Sequence, residues 1–186
     1  KSNIVDFVVM MLLVAVWLLL LLLLSWCSTV AMACNVVVSW NRLALESIRR
    51  NASTPTHASR TLAMLNVAMH DAVASISKRY SGHNWTVPDA SSTASLEAAA
   101  ITAAKLVLSS EFPFQVAVLA LRAQKDLLAL TDQSESAVGA GVDIGTRVAT
   151  ALLAERSQDG SQTYGAYAGS DEPGKWRPTP PAFLRA

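Results

Sequence analysis

The chain has 186 residues, enough for one domain with a sizeable core, and a formal net charge of +1, which gives no electrostatic footprint for nucleic acid. Its hydrophobic content of 52% is high because one N-terminal segment holds much of it, and apolar residues do not alternate in strand-like runs. The composition therefore predicts an all-α fold. The expected form is an antiparallel helical bundle, preceded by a hydrophobic leader or anchor helix and followed by an irregular Gly/Pro-rich tail.

Residues 7–24, FVVMMLLVAVWLLLLLLL, form an uninterrupted run of eighteen apolar residues. That is the lower edge for spanning a bilayer and longer than most secretory hydrophobic regions. Small residues follow, and Ala31-Met32-Ala33 fits the A-x-A pattern of signal peptidase, with cleavage between Ala33 and Cys34. Two readings stay open: a cleaved leader over residues 1–33, which would make the protein secreted or extracytoplasmic, or an anchor that keeps residues 7–24 in a membrane. Cys27 would leave with a leader, and Cys34 would remain without a partner in this sequence. Sequons at Asn51 (NAS) and Asn84 (NWT) are candidate glycosylation sites, in keeping with export.

The next segment, 34–160, reads as a helical domain. VVVSWNRLALESIRR places Val37, Trp40, Ala44 and Ile48 on one face, with Arg49 and Arg50 at the C-terminal end, where the helix dipole is negative. A second helix takes Thr54 as N-cap and Pro55 at its first position. Its stripe is Leu62, Leu65, Met69, Val73 and Ile76; Lys78 and Arg79 close it, and Gly82 stands where a helix stop would. An alanine-rich third helix covers about residues 95–109, a fourth starts at Pro113, and Asp132 with Glu135 has the spacing of a capping box for a fifth running to about Arg156. From residue 161 the chain is rich in Gly and Pro, with Tyr164, Tyr167 and Trp176 as anchors for an irregular tail.

Several patterns resemble catalytic signatures without their context. GAGVDIG, with Gly139, Gly141 and Gly145, looks like a nucleotide-binding glycine run, but it lies inside a helix and does not follow a strand, so close helix packing is its reading. His57, His70 and His83 are each thirteen residues apart, which matches no i, i+3 or i, i+4 metal pair; His70 is placed to hydrogen-bond towards a neighbouring helix. No Ser-His-Asp order, nucleophile elbow or HExxH occurs.

Trp40-Asn41, Pro55-x-x-Ala58-Ser59-Arg60, the AMHDAV helix, DGS at Asp159–Ser161 and GKWRPTPPAF from Gly174 to Phe183 occur in an order that resembles the N-terminal helical region of vanadium-dependent haloperoxidase-like proteins. These belong to the type 2 phosphatidic acid phosphatase superfamily, and the likeness spans residues 36–183. The resemblance implies a full-length enzyme that oxidises halide with peroxide or hydrolyses phosphate esters, with vanadate as cofactor in the first case. It also implies an oxyanion site built from K-x6-R-P, P-S-G-H and S-R-x5-H-x3-D in that order.

This sequence departs from all three motifs. Tyr80 replaces the proline before Ser81-Gly82-His83, Ser170 stands where Arg177-Pro178 needs a lysine, and Asn66 stands where Ser59-Arg60 needs a histidine. The expectation is a non-catalytic N-terminal portion with no catalytic, cofactor or metal residue of its own. Its partner would be a C-terminal catalytic helical bundle of the same chain, and also the membrane if the leader is retained. The competing expectation is a non-enzymatic secreted or membrane-anchored helical protein that interacts through its Trp- and Tyr-bearing tail.

Overall fold

A computed structural model describes residues 35–163, 169–178 and 180. The apolar run 7–24, the cleavage pair Ala33 and Cys34, and the tail residues Tyr164, Tyr167 and Phe183 lie outside the described residues. Among the described residues the chain is all-α: α1 (Val36–Arg50), α2 (Pro55–Ser77), α3 (Leu96–Glu111), a 3-10 turn (Pro113–Gln115), α4 (Val116–Leu128) and α5 (Glu135–Arg156), with no strand.

Local chemistry starts each long helix. Asn35, Thr54, Ser95 and Ser134 cap α1, α2, α3 and α5, each side-chain oxygen accepting from a backbone N–H of the first turn. The α5 cap is thus Ser134 and not the expected Asp132. Serine directly before Glu135 reaches the Ala137 N–H, leaving Asp132 two residues too early.

The alanine-rich α3 is the centre of the fold. Ala98 to Ala104, Val107 and Leu108 are buried, and α5, α2, α4 and α1 all pack on it. Alanine keeps α3 thin, and Gly141 and Gly145 let α5 approach it backbone to backbone. A Cβ at Gly141 would strike the Ser95 carbonyl, and one at Gly145 the Ala99 carbonyl. A step of four residues on α5 matches a step of four on α3, so this closest pair runs parallel, with α4 making the return between them. The glycines belong to helix packing, whereas Gly139 has nothing within 4 Å of a built Cβ.

The expected stripes are rotated slightly. α1 buries Ser39, Trp40, Leu43, Ala44 and Ser47 and leaves Val37 exposed. α1 packs on α3 and α2, and the edge that carries its serines meets polar groups of α4 and the turn before it: Arg122 donates to Ser39 Oγ and Gln115 Nε2 to the Ser47 carbonyl at 3.2 Å. On α2, Leu65, Met69 and Ile76 are buried as expected. Ala68 and Ala72 join them in place of the half-buried Leu62 and Val73, because small side chains suit the close contact with α3.

Candidate functional site

The stretch Ser81-Gly82-His83 follows α2, but Gly82 does not end the helix. Lys78 does, in the left-handed region at φ 50°. The loop then folds back over a buried carboxylate. Asp71, wholly inaccessible, accepts from the backbone N–H groups of His83 at 2.6 Å, Asn84 at 3.0 Å and Trp85 at 2.8 Å. His70 Nδ1 lies 3.1 Å from Oδ1, the oxygen that also accepts the His83 N–H. Gly82 is where backbone and carboxylate meet: a Cβ there would lie 2.7 Å from Thr86 Cγ2 and 3.4 Å from Asp71 Oδ1. Burial alone would raise the Asp71 carboxyl, but the Asn84, His83 and Trp85 amides and His70 outweigh it and hold the group below its ordinary value. Ser75 extends the arrangement, accepting the Val87 N–H at 3.0 Å.

A second polar cluster lies at the other end of α2. Arg60 Nε donates to Asp159 Oδ2 at 2.8 Å, its Nη1 to Glu111 Oε1 at 3.0 Å, and its Nη2 to the Arg156 carbonyl at 3.2 Å. One guanidinium therefore joins the N-terminal part of α2 to the C-terminal ends of α3 and α5. Glu111, with a side chain 8% exposed, also accepts from Thr61 Oγ1 at 3.0 Å and has His57 Nε2 at 3.4 Å. Burial pulls the Arg60 pKa down, but Asp159 and Glu111 more than offset it and leave it raised. Arg60 in turn, helped by the Ser161 hydroxyl and N–H, holds Asp159 far below the usual carboxylate range.

Between the two clusters lies a cleft of about 270 Å3. Arg60, Arg156 and Asp159 stand at its polar end, Met64, Val67 and Leu152 form its floor, and His83 and Trp85 close one side. This arrangement brings His83 and Arg60 to one cavity, which the sequence did not suggest. The residues do not fit a vanadate or phosphate group, however. Arg60 is matched by Glu111 and Asp159, and Arg156 Nη2 lies 3.2 Å from Glu155 Oε1, so an arriving oxyanion would meet carboxylates beside every guanidinium.

The remaining residues singled out in the sequence are dispersed. His70 bonds to the neighbouring Asp71 of its own helix and not to another helix. Asn51 is exposed after α1, its amide donating to Ser53 Oγ of the same sequon at 3.1 Å. Asn84 is exposed too, but its amide reaches Glu155 Oε2 at 3.0 Å. Arg177 pairs loosely with Asp171 at 3.8 Å on the surface. No group of three or more His, Cys, Asp or Glu side chains able to hold a metal ion occurs among the described residues. Sequence reasoning missed Glu111 and the acceptor role of Asp71. The one available signal was Asp71 itself, an acid within an otherwise apolar stretch of α2.

No family model matches the sequence, and comparisons with curated proteins and with solved structures give no match either. The functional reading thus rests on the residues and their geometry.

Proposed function

We propose that this chain is the N-terminal helical, non-catalytic region of an exported vanadium haloperoxidase-like enzyme. Halide oxidation or phosphate-ester hydrolysis would be carried out by a C-terminal helical bundle of the same protein, where vanadate would bind if the enzyme is a haloperoxidase. One observation carries the reading: the residues that bear the resemblance are the ones that tie the helices together. Asn41 of the Trp-Asn pair exchanges amide hydrogen bonds with Asn66 of α2, each at 3.0 Å. Arg60 of Pro-x-x-Ala-Ser-Arg holds Asp159 of DGS, and Asp71 of AMHDAV caps the loop after α2. A shared framework would constrain those positions whether or not they touch substrate. The saturated guanidinium groups of the cleft support a framework role over a catalytic one.

The coding sequence downstream of Ala186 tests this. The reading expects K-x6-R-P, P-S-G-H and S-R-x5-H-x3-D, in that order, within a few hundred codons. A downstream sequence without any of the three would reject it.

A second reading, a non-enzymatic membrane-anchored or secreted interaction protein, is favoured by the outward face of α4. There Leu121 and Leu128, with Phe114 of the preceding 3-10 turn, are exposed with no described neighbour to cover them. The long α5 is apolar enough to cross a bilayer by composition, but it carries Asp143 and Arg147, and its glycine face packs on α3.

A further inference from the structure

The exposed surface of α4 is the largest departure from the rule that long apolar side chains turn inward. Leu119 and Ala123 face α3, while the side opposite them carries Phe114 (100% exposed), Val118 (51%), Leu121 (67%) and Leu128 (72%). The spacing of four, three and seven residues keeps these four on one line along the helix and its leading 3-10 turn. Lys125 is the one charge on that line.

The neighbouring helix repeats the pattern. Opposite the buried face of α1 lie Val38 (48%) and Leu45 (40%), at a spacing of seven, with Arg42 and Arg49 between and after them. The Arg122–Ser39 and Gln115–Ser47 hydrogen bonds link α1 to α4 and the turn before it, and both helices pack on α3, so their outer lines lie on neighbouring helices turned away from α3. Together the two lines hold six large apolar side chains and three cations, with no acid. The nearby acids are engaged elsewhere, Asp126 with Arg122 at 2.9 Å and Glu46 with Arg50 at 3.9 Å. Three uncompensated cations in a chain of net charge +1 are a local excess.

From these observations we infer that the paired outer faces of α1 and α4 form a membrane-contact surface, seated on an anionic lipid bilayer with both helices lying along the interface. Apolar side chains interleaved with Lys and Arg are what the boundary between headgroups and acyl chains accepts: the apolar tips enter, and the cations stay at phosphate level. Charge complementarity favours this occupant over a second copy of the chain, because a self-paired surface would bring six cations together with no anion between them. The sequence provides the tether. Residues 7–24 hold no charge, and eleven residues separate Leu24 from Val36, the first residue of α1. Eleven residues span at most ~40 Å, so a membrane-inserted run would keep α1 and α4 within reach of the bilayer surface. The inference does not depend on the haloperoxidase-like reading and stands or falls separately from it.

The test places an environment-sensitive fluorophore on single cysteines of the full chain, in a Cys27→Ser/Cys34→Ser background, at Leu121→Cys, Leu45→Cys or the control Thr146→Cys on the exposed side of α5. Each protein is incorporated into phosphatidylcholine vesicles with or without phosphatidylglycerol, and quenching by nitroxide-labelled lipid is read. The expected result is a loss of emission of about twofold or more at 121 and 45 in phosphatidylglycerol vesicles, with none at 146. Combined Arg42→Glu, Arg49→Glu and Lys125→Glu substitution should abolish that quenching with an unchanged helical circular dichroism spectrum. Equal quenching at all three sites would overturn the inference. A blue-shifted but unquenched probe at 121 would also overturn it, since that signals a protein partner or a second copy. Persistence of quenching in the charge-reversed protein would remove its electrostatic part.

Discussion

Arg60 and Asp159, separated by 99 positions in the sequence, meet at 2.8 Å, and the same guanidinium reaches Glu111 at 3.0 Å. One side chain thus fixes where α2 starts relative to where α3 and α5 end. Removing it would leave Glu111 buried beside Thr61 and His57 without its cation.

Arg60→Ala should therefore destabilise the protein by about 3 kcal/mol, the usual cost of breaking a largely buried pair from one side. Arg60→Lys should recover only part of that, because an ammonium group cannot serve Asp159, Glu111 and the Arg156 carbonyl in one plane. Urea unfolding of the three proteins gives the comparison. Equal midpoints would show that the pairing contributes nothing.

The Asp71 cap predicts a pH dependence. The folded carboxyl titrates below its ordinary 3.8, so its contribution is complete above about pH 4 and is lost as the pH falls through the folded value. Asp71→Asn offers one carbonyl where three amides converge, and should cost about 2–4 kcal/mol at neutral pH. It should also flatten the fall in stability below about pH 4, leaving the part that comes from Asp159. Unfolding midpoints measured from pH 7 down to pH 3 for both proteins check the slope. An unchanged slope in the variant would place the acid sensitivity elsewhere.

Two of the α5 glycines, Gly139 and Gly145, should separate cleanly. Gly139→Ala meets open space on an exposed helix turn and should stabilise by about 0.5–1 kcal/mol. Gly145→Ala drives a methyl into the Ala99 carbonyl on a backbone that cannot retreat, and should destabilise by about 2–3 kcal/mol. Thermal melts of the two variants would have to move in opposite directions.

Much of this fold could be read locally. Thr54 with Pro55, and the alanine run after Ser95, announce their helices through chemistry contained in a few adjacent residues. The polar frame could not be read that way. The donors of Asp71 lie 12 to 14 positions downstream, and the partners of Arg60 lie 51 and 99 positions away. Nothing in a linear pattern distinguishes a carboxylate that will be roofed by a loop from one that will face water. The rotation of the α1 face is of the same kind, since Ser39 and the Ser47 carbonyl meet Arg122 and Gln115, 83 and 68 positions downstream.

The central claim is that Arg60 and His83 belong to a framework and not to an oxyanion site, and vanadate binding tests it most directly. Calorimetric titration of orthovanadate into the wild-type chain and into His83→Ala should show no saturable heat in either, because each guanidinium of the cleft already faces a carboxylate. Saturable binding to the wild type that disappears in His83→Ala would contradict the account.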